Sequence, residues 1–307
     1  MGIGTVNVPG LGRSGIPEAP LDGEKYLRQS GAWSALTEIG NLANLATTAK
    51  TDLVAAINEI VSFSKALKEG TGAGLHNSIY RGKYLGDHVT AEQWAAIQAG
   101  TFDDLWVGDY WTIGGHNWRI ADFDYFHFGN GAHHIVIVPD SALYQAKMND
   151  TNTTEGGYAG SKMHTTNLEQ AKTLIANAFG AAHIMRHELS FSNTVTNGVV
   201  TGVAQFECTV ELMSERMVYG CSIASGNGFN GTTYNVAWTE MKSQLALFRH
   251  RADMIGISGF TWLYDVGKTD RWCCLYDDLT YCGIAHYGAP SAEMGVRPYV
   301  CIYQATA

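Results

Sequence analysis

Between residues 47 and 70 the sequence takes on a helical period that nothing before it has, and this segment constrains everything around it. Apolar residues fall at Leu53, Ala56, Ile60, Phe63 and Leu67, in alternating steps of three and four, with Ile57 flanking the seam. Over about two heptads this is the a/d pattern of a coiled coil. Thr48 or Thr51 is placed to cap the helix, and Gly70, Gly72 and Gly74 stop it. A helix of roughly 20 residues with one narrow apolar stripe is marginal alone. It must cover that stripe with its own globular domain or with copies of itself. Glycine-containing segments isolate it on both sides, which favours copies.

The residues before it, 1–46, cannot build a core. Pro9, Gly10, Gly12, Gly15, Pro17 and Pro20 punctuate the first part too often for a stable element. Such a segment is either loose or ordered against another protein. The run from Pro20 to Trp33 then reads as a small hairpin, with Asp22-Gly23 as the turn dipeptide and Tyr26 and Trp33 as strand aromatics. After the helix, 71–78 reads as a glycine-rich linker.

From 79 to 307 the pattern is that of one α+β domain. A helix starting at Thr90 carries capping-box spacing to Gln93 and ends at Gly100. A second spans 167–179, with Leu168, Ala171, Leu174, Ile175 and Ala178 on one face and Gly180 as its stop. A third is expected over 207–218. Strands are expected over 109–113, 117–121 and 134–139, the first two joined as a hairpin at Gly114-Gly115. Beyond 220, strands are broken by long Gly-, Ser- and Asn-rich loops.

Composition excludes several functions. The net charge of −9 and the absence of any basic run argue against a nucleic-acid partner. No window approaches the roughly 18–20 apolar residues of a membrane span, and residues 1–10 lack the pattern of a signal peptide. Synthesis in the cytosol is therefore expected. The six cysteines, at 208, 221, 273, 274, 282 and 301, match no paired zinc spacing and read as reduced, mostly buried thiols.

Two stretches carry a family resemblance. The run Asp22-Gly23-Glu24-Lys25-Tyr26-Leu27-Arg28-Gln29-Ser30-Gly31-Ala32-Trp33 resembles the short motif near the N-termini of phage head-fibre and tail-fibre proteins. The stretch Thr48–Ile60 looks like the helix that commonly succeeds it. The resemblance implies virion attachment through Tyr26 and Trp33, to capsid or tail proteins. It also implies a homotrimer held by Leu53, Ile57, Ile60, Phe63 and Leu67.

The large domain is similar to phage C-terminal domains of the C-type-lectin-like, or formylglycine-generating-enzyme-like, fold. The similarity rests on Phe102–Trp111, on Thr261-Trp262-Leu263-Tyr264-Asp265 and on Gly295-Val296-Arg297-Pro298-Tyr299-Val300-Cys301-Ile302. Within it, Arg297 is expected to pin the last strand to a loop carboxylate such as Asp265. The calcium-binding triplets of sugar-binding lectins are absent. Val138-Pro139-Asp140 lacks the first ligand, so calcium-mediated sugar binding is unsupported. The cysteines fit no active-site pair of the enzyme branch.

Other constellations point to structure rather than chemistry. His183 and His187 have i, i+4 spacing but lack the internal glutamate of a hydrolytic zinc helix. His133-His134, in a strand, would point to opposite faces. Asp103-Asp104 and Asp277-Asp278 read as turn and surface acids, and no Gly-x-Ser-x-Gly elbow is present. No catalytic residue, metal or cofactor is assigned. The positive signal is a late run of aromatics in polar loops, of which Trp238, Trp272, Tyr276, Tyr281 and Tyr287 are the candidate binding residues. Residues 225–290 would then form exposed loops that bind a host-surface receptor or glycan. The contrasting expectations are a virion-borne cell-envelope glycan hydrolase and a purely structural cement protein.

Overall fold

The computed structural model describes residues 18–23, 26–30, 32–35, 42–69, 72–126, 132–225, 243–256, 259–268, 270–276 and 283–305. The chain divides into two compact units, residues 1–69 and 70–307.

In the first unit, β1 (Tyr26–Gln29) and β2 (Ala32–Ala35) form an antiparallel hairpin in which Arg28 faces Trp33. The reversal falls between Gln29 and Ala32. Asp22-Gly23 therefore precedes the hairpin instead of turning it. Its side chain still takes part, because Asp22 accepts the Tyr26 hydroxyl.

Helix α1 (Leu53–Glu69) begins later than the period suggests. Neither threonine caps it. Asp52 Oδ1 accepts the amide of Ala55 at 2.7 Å, which is N-cap geometry. The preceding residues fold back onto the helix, and Glu59 accepts the amides of Thr48 and Ala49 at 2.9 and 2.5 Å. Those two bonds, Thr48's first, hold the Glu59 carboxyl below its usual range. Ala56 is buried, whereas Leu53, Val54, Ile57, Ile60 and Val61 stay exposed, Val54 at 66% and Ile60 at 58%. The side chains of Phe63 and Leu67 lie outside the described residues.

The second unit is mixed α and β, with sheet dominant. It begins with α2 (Ala73–His76), where a linker was expected. His76 is buried against the rings of Phe102, Trp106 and Phe123, and its Nδ1 bonds the carbonyl of Leu105. Next come β3 (Tyr84–Gly86), α3 (Ala91–Ala99), β4 (Tyr110–Ile113), β5 (His116–Phe123), β6 (His134–Pro139) and β7 (Tyr144–Lys147). Helix α4 (Glu169–Phe179) follows a π turn over Met163–Asn167. After it run β8 (His187–Thr196), β9 (Val199–Cys208), β10 (Val210–Leu212) and α5 (Glu215–Tyr219). The remainder is α6 (Ala246–His250), β11 (Thr261–Lys268), β12 (Arg271–Tyr276), β13 (Ile284–Gly288), β14 (Glu293–Val296) and β15 (Pro298–Tyr303).

A six-stranded sheet has the order β10-β15-β6-β5-β4-β3, with only β3–β4 parallel. A five-stranded sheet runs β13-β12-β11-β14-β7, with β11–β14 as its one parallel pair. Strands β8 and β9 form a separate hairpin. Strand β6 is buried along its whole length and β15 nearly so, because both of their faces are covered. This is why their sequences read as continuous apolar runs and not as alternation.

Helix α3 forms as its cap predicts. Thr90 accepts the amide of Gln93, Gln93 returns the bond, and Gly100 closes the helix at φ 68°. A Cβ at Gly100 would also meet the His133 ring at 2.4 Å, so glycine is required there twice over. The helix expected over 207–218 is instead the end of β9, then β10 and the single turn of α5. Val210, Glu211 and Leu212 are all buried beside β15, and that tertiary pairing overrides their helical pattern.

Buried polar groups fix the layers. Asp122 on β5 accepts Asn77 Nδ2 and the Ala246 amide, both at 2.8 Å, and so ties α2 and α6 to the sheet. Arg119 grips Asp140 with two bonds of 2.6 Å. Arg297 is fully buried but does not pair with Asp265. Its Nε donates to Pro139 O at 2.8 Å, and its Nη1 donates to Ile255 O and Met254 O at 2.9 and 3.1 Å. Asp265 accepts the amide of Glu215 at 2.7 Å. The arginine serves as a pin, then, but one that gathers carbonyls rather than a carboxylate.

Candidate functional site

The loop from β7 to α4, the start of α4, Arg186 before β8, and the strands β9 and β10 line a pocket of about 530 Å³. The loop supplies His164 and β10 supplies Glu211, and Tyr158 is buried behind them. The loop can approach because Gly157, at φ 60°, sits where a Cβ would be 2.3 Å from the carbonyl oxygen of Ser192 on β8. Ser192 in turn accepts the Tyr158 amide on its hydroxyl at 2.9 Å and the Ala159 amide on its carbonyl at 3.0 Å. The loop is thus laced onto the β8–β9 hairpin.

At the inner wall, the Tyr158 hydroxyl donates to Glu211 Oε2 at 2.8 Å. His164 Nδ1 lies 3.2 Å from Oε1 of the same carboxylate. Tyr158 and Glu211 are buried, and the imidazole is part-exposed at the wall. Burial first, and the neighbouring Glu211 second, push the Tyr158 phenol well above its usual range, so it stays protonated and acts as a donor. The ring of Tyr158 packs against those of Phe191 and Tyr264 at 4.9 and 5.4 Å, which fixes its direction.

The outer wall carries paired charges. Lys172 bonds Glu169 at 2.8 Å, and Arg186 bonds Glu207 at 2.9 Å. Cys208 also lines the pocket, but its thiol is turned to the Phe206 carbonyl at 3.5 Å. A second, more open pocket of about 460 Å³ adjoins the first, with Thr165 lining both. Asn149, Thr151, Thr153 and Glu155 line it, together with the ion pair of Lys162 and Asp150 at 2.7 Å.

Of the binding residues read from the sequence, Trp272 and Tyr287 are not among those that line either pocket. Trp272 is fully buried in β12, its indole N–H bonded to Tyr264 O at 3.0 Å, so it is not a ligand contact. Tyr287 on β13 is half-buried, with Lys268 Nζ 4.5 Å from its ring centre. Tyr276 ends β12, and its side chain, with Trp238 and Tyr281, lies outside the described residues. Within 225–290, expected as exposed loops, residues 261–268, 271–276 and 284–288 form β11, β12 and β13, and the aromatics Trp262, Tyr264 and Trp272 fill the core. Their polar neighbours made a buried sheet look like loops.

The histidine pair 183 and 187 is separated by structure. His183 stacks on Trp94 at 4.0 Å, while His187 is buried on β8 and shares a 2.7 Å hydrogen bond with the Tyr299 hydroxyl. His133 is part-exposed beside Asp124 and His134 is buried, so the two face different surroundings. Among the described residues no cluster of three or more His, Cys, Asp or Glu has metal-holding geometry, and no helix is long and apolar enough to cross a membrane.

The triad of Tyr158, His164 and Glu211 was not visible in the sequence. The polar, glycine-broken run 149–161 between a strand and a helix was the one local signal, of a kind that marks functional loops. Comparison with protein-family models, curated proteins and solved structures finds no match for this chain in any of the three.

Proposed function

We propose that the chain is a bacteriophage virion fibre or decoration protein. In this reading it is a homotrimer, attached to capsid or tail proteins by residues 1–46, that displays a C-type-lectin-like domain on the particle exterior. It acts by binding a host-surface glycan, not by turnover. The observation that carries this reading is α1. A 17-residue helix with Leu53, Val54, Ile57, Ile60 and Val61 exposed leaves an apolar face that water disfavours and that copies of itself would cover. The polar pocket beside Glu211 supports the binding role. Trimers would turn weak single-site binding into strong attachment.

Sedimentation of the full chain tests the first part. The expected mass is near three times 33.3 kDa, falling to the single-chain value in Ile57→Asp/Ile60→Asp. A wild-type monomer at micromolar concentration would sink it. Immunogold labelling of particles from infected cultures tests display, and bare particles would refute that.

A second reading, a glycan hydrolase, draws on one observation: Glu169, Glu207 and Glu211 line the same pocket. Release of reducing sugar from cell-envelope glycans, abolished in Glu211→Gln, would favour it over the binding reading.

A further inference from the structure

We propose that the two pockets meeting at Thr165 form one elongated groove for a hydroxyl-rich oligosaccharide free of anionic groups, of at least two sugar units; this rests on the glycan-binding reading above. Both volumes fall within the range of about 300–1,000 Å³ typical of ligand pockets. Thr165, which lines both, is exposed and its hydroxyl is turned back to the Ser161 carbonyl at 2.9 Å.

The charges select the ligand. Each cation of the groove already holds a carboxylate: Lys162 with Asp150, Lys172 with Glu169, Arg186 with Glu207. Glu155 and the buried Glu211 add further acids with no matching lysine or arginine. A sialylated, sulfated or phosphorylated glycan would meet an excess of like charge and no uncommitted lysine or arginine. A neutral sugar chain meets what its hydroxyls need, ion pairs that offer donor and acceptor side by side, with threonine and asparagine between them. Glu211 is held still by Tyr158 and His164, so the inner end of the groove is pre-organised and does not have to be ordered on binding.

The test uses the full chain and three immobilised probes: a neutral N-acetylglucosamine tetramer, a sialylated trisaccharide, and the de-N-acetylated, cationic glucosamine tetramer. Wild type should hold the neutral and the cationic probes at least tenfold more tightly than the sialylated one. Thr165→Trp, which blocks the junction, should lose at least tenfold of that affinity. Lys172→Ala, which removes one paired donor, should lose several-fold, and thermal melts of both variants establish that they fold. A preference for the sialylated probe overturns the proposal. If glycans bind but both variants match wild type while Tyr287→Ala loses binding, the groove is wrong and the glycan-binding reading stands. If host cells are bound but no glycan is, the groove is overturned and a non-glycan receptor is indicated. If neither cells nor glycans are bound, both fall together.

Discussion

Arg297 Nε lies 2.8 Å from the carbonyl oxygen of Pro139, which bonds the residue between β14 and β15 to the last residue of β6. The same guanidinium reaches the carbonyls of Met254 and Ile255. One planar fork thus joins the 252–255 turn to both sheets, an arrangement a lysine ammonium cannot copy. Arg297→Lys should therefore destabilise the domain by about 3 kcal/mol, because at least one buried carbonyl is left without a donor. Urea unfolding at pH 7 measures this, and a loss under about 1 kcal/mol would mean the carbonyls find other partners.

Burial raises the Asp122 carboxyl from its ordinary 3.8 to about 6, against the opposing effect of its bond from the Ala246 amide. A folded value above the unfolded one means that the native state holds this proton more tightly. The group's contribution to stability is then largest below pH 4 and declines as pH rises from about 4 to about 6. Carbon-detected NMR titration of the Asp122 carboxyl should give a midpoint near 6. A midpoint at or below 4 would show that its hydrogen bonds outweigh burial.

Tyr158 and Glu211 should behave as one unit. Tyr158→Phe removes a donor from a buried carboxylate and is expected to cost about 1–3 kcal/mol. In a double-mutant cycle with Glu211→Gln, the coupling should exceed about 0.5 kcal/mol. Strict additivity would show that the 2.8 Å contact carries no energy of its own.

Gly157 and Gly114 offer a matched pair. Both have φ near 60°, but a Cβ at Gly114 meets nothing within 4 Å, while at Gly157 it meets main chain of β8. Gly114→Ala should cost about 1 kcal/mol from conformation alone. Gly157→Ala should cost at least twice that and loosen amide protection across 156–161, read by hydrogen exchange. Equal losses at the two sites would place the whole effect in backbone strain.

What the sequence disclosed was local. The capping box at Thr90 and Gln93, the strand at 134–139 and the stop at Gly180 all depend on neighbours within a few residues, and all stand in the structure. The misreadings came from contacts made far along the chain. Residues 207–212 have helical spacing, but β8 claims 207–208 and β15 claims 210–212 as strand. Trp272 sits among polar residues, yet Tyr264 across the turn draws its indole inward. Glu211 lies 47 and 53 residues from His164 and Tyr158, so no spacing rule brings the three together. The pairing of Arg297 with Asp265 expected from the sequence does not form, because the arginine's partners are main-chain oxygens, which look the same at every residue of a sequence.

The position of β15 has a bearing on how the protein is made. Its six residues lie between β10 and β6, one strand in from an edge of the larger sheet, and they follow β6 late in the chain, with Val300 opposite Ile137. Until residue 303 is clear of the exit tunnel, β6 shows an unfilled apolar edge and β10 has no sheet to join. Chaperone occupancy on the nascent chain should therefore persist until residue 303 has emerged. A ribosome that stalls or frameshifts anywhere upstream yields a polypeptide in which β6 keeps an open apolar edge and β10 has nothing to join.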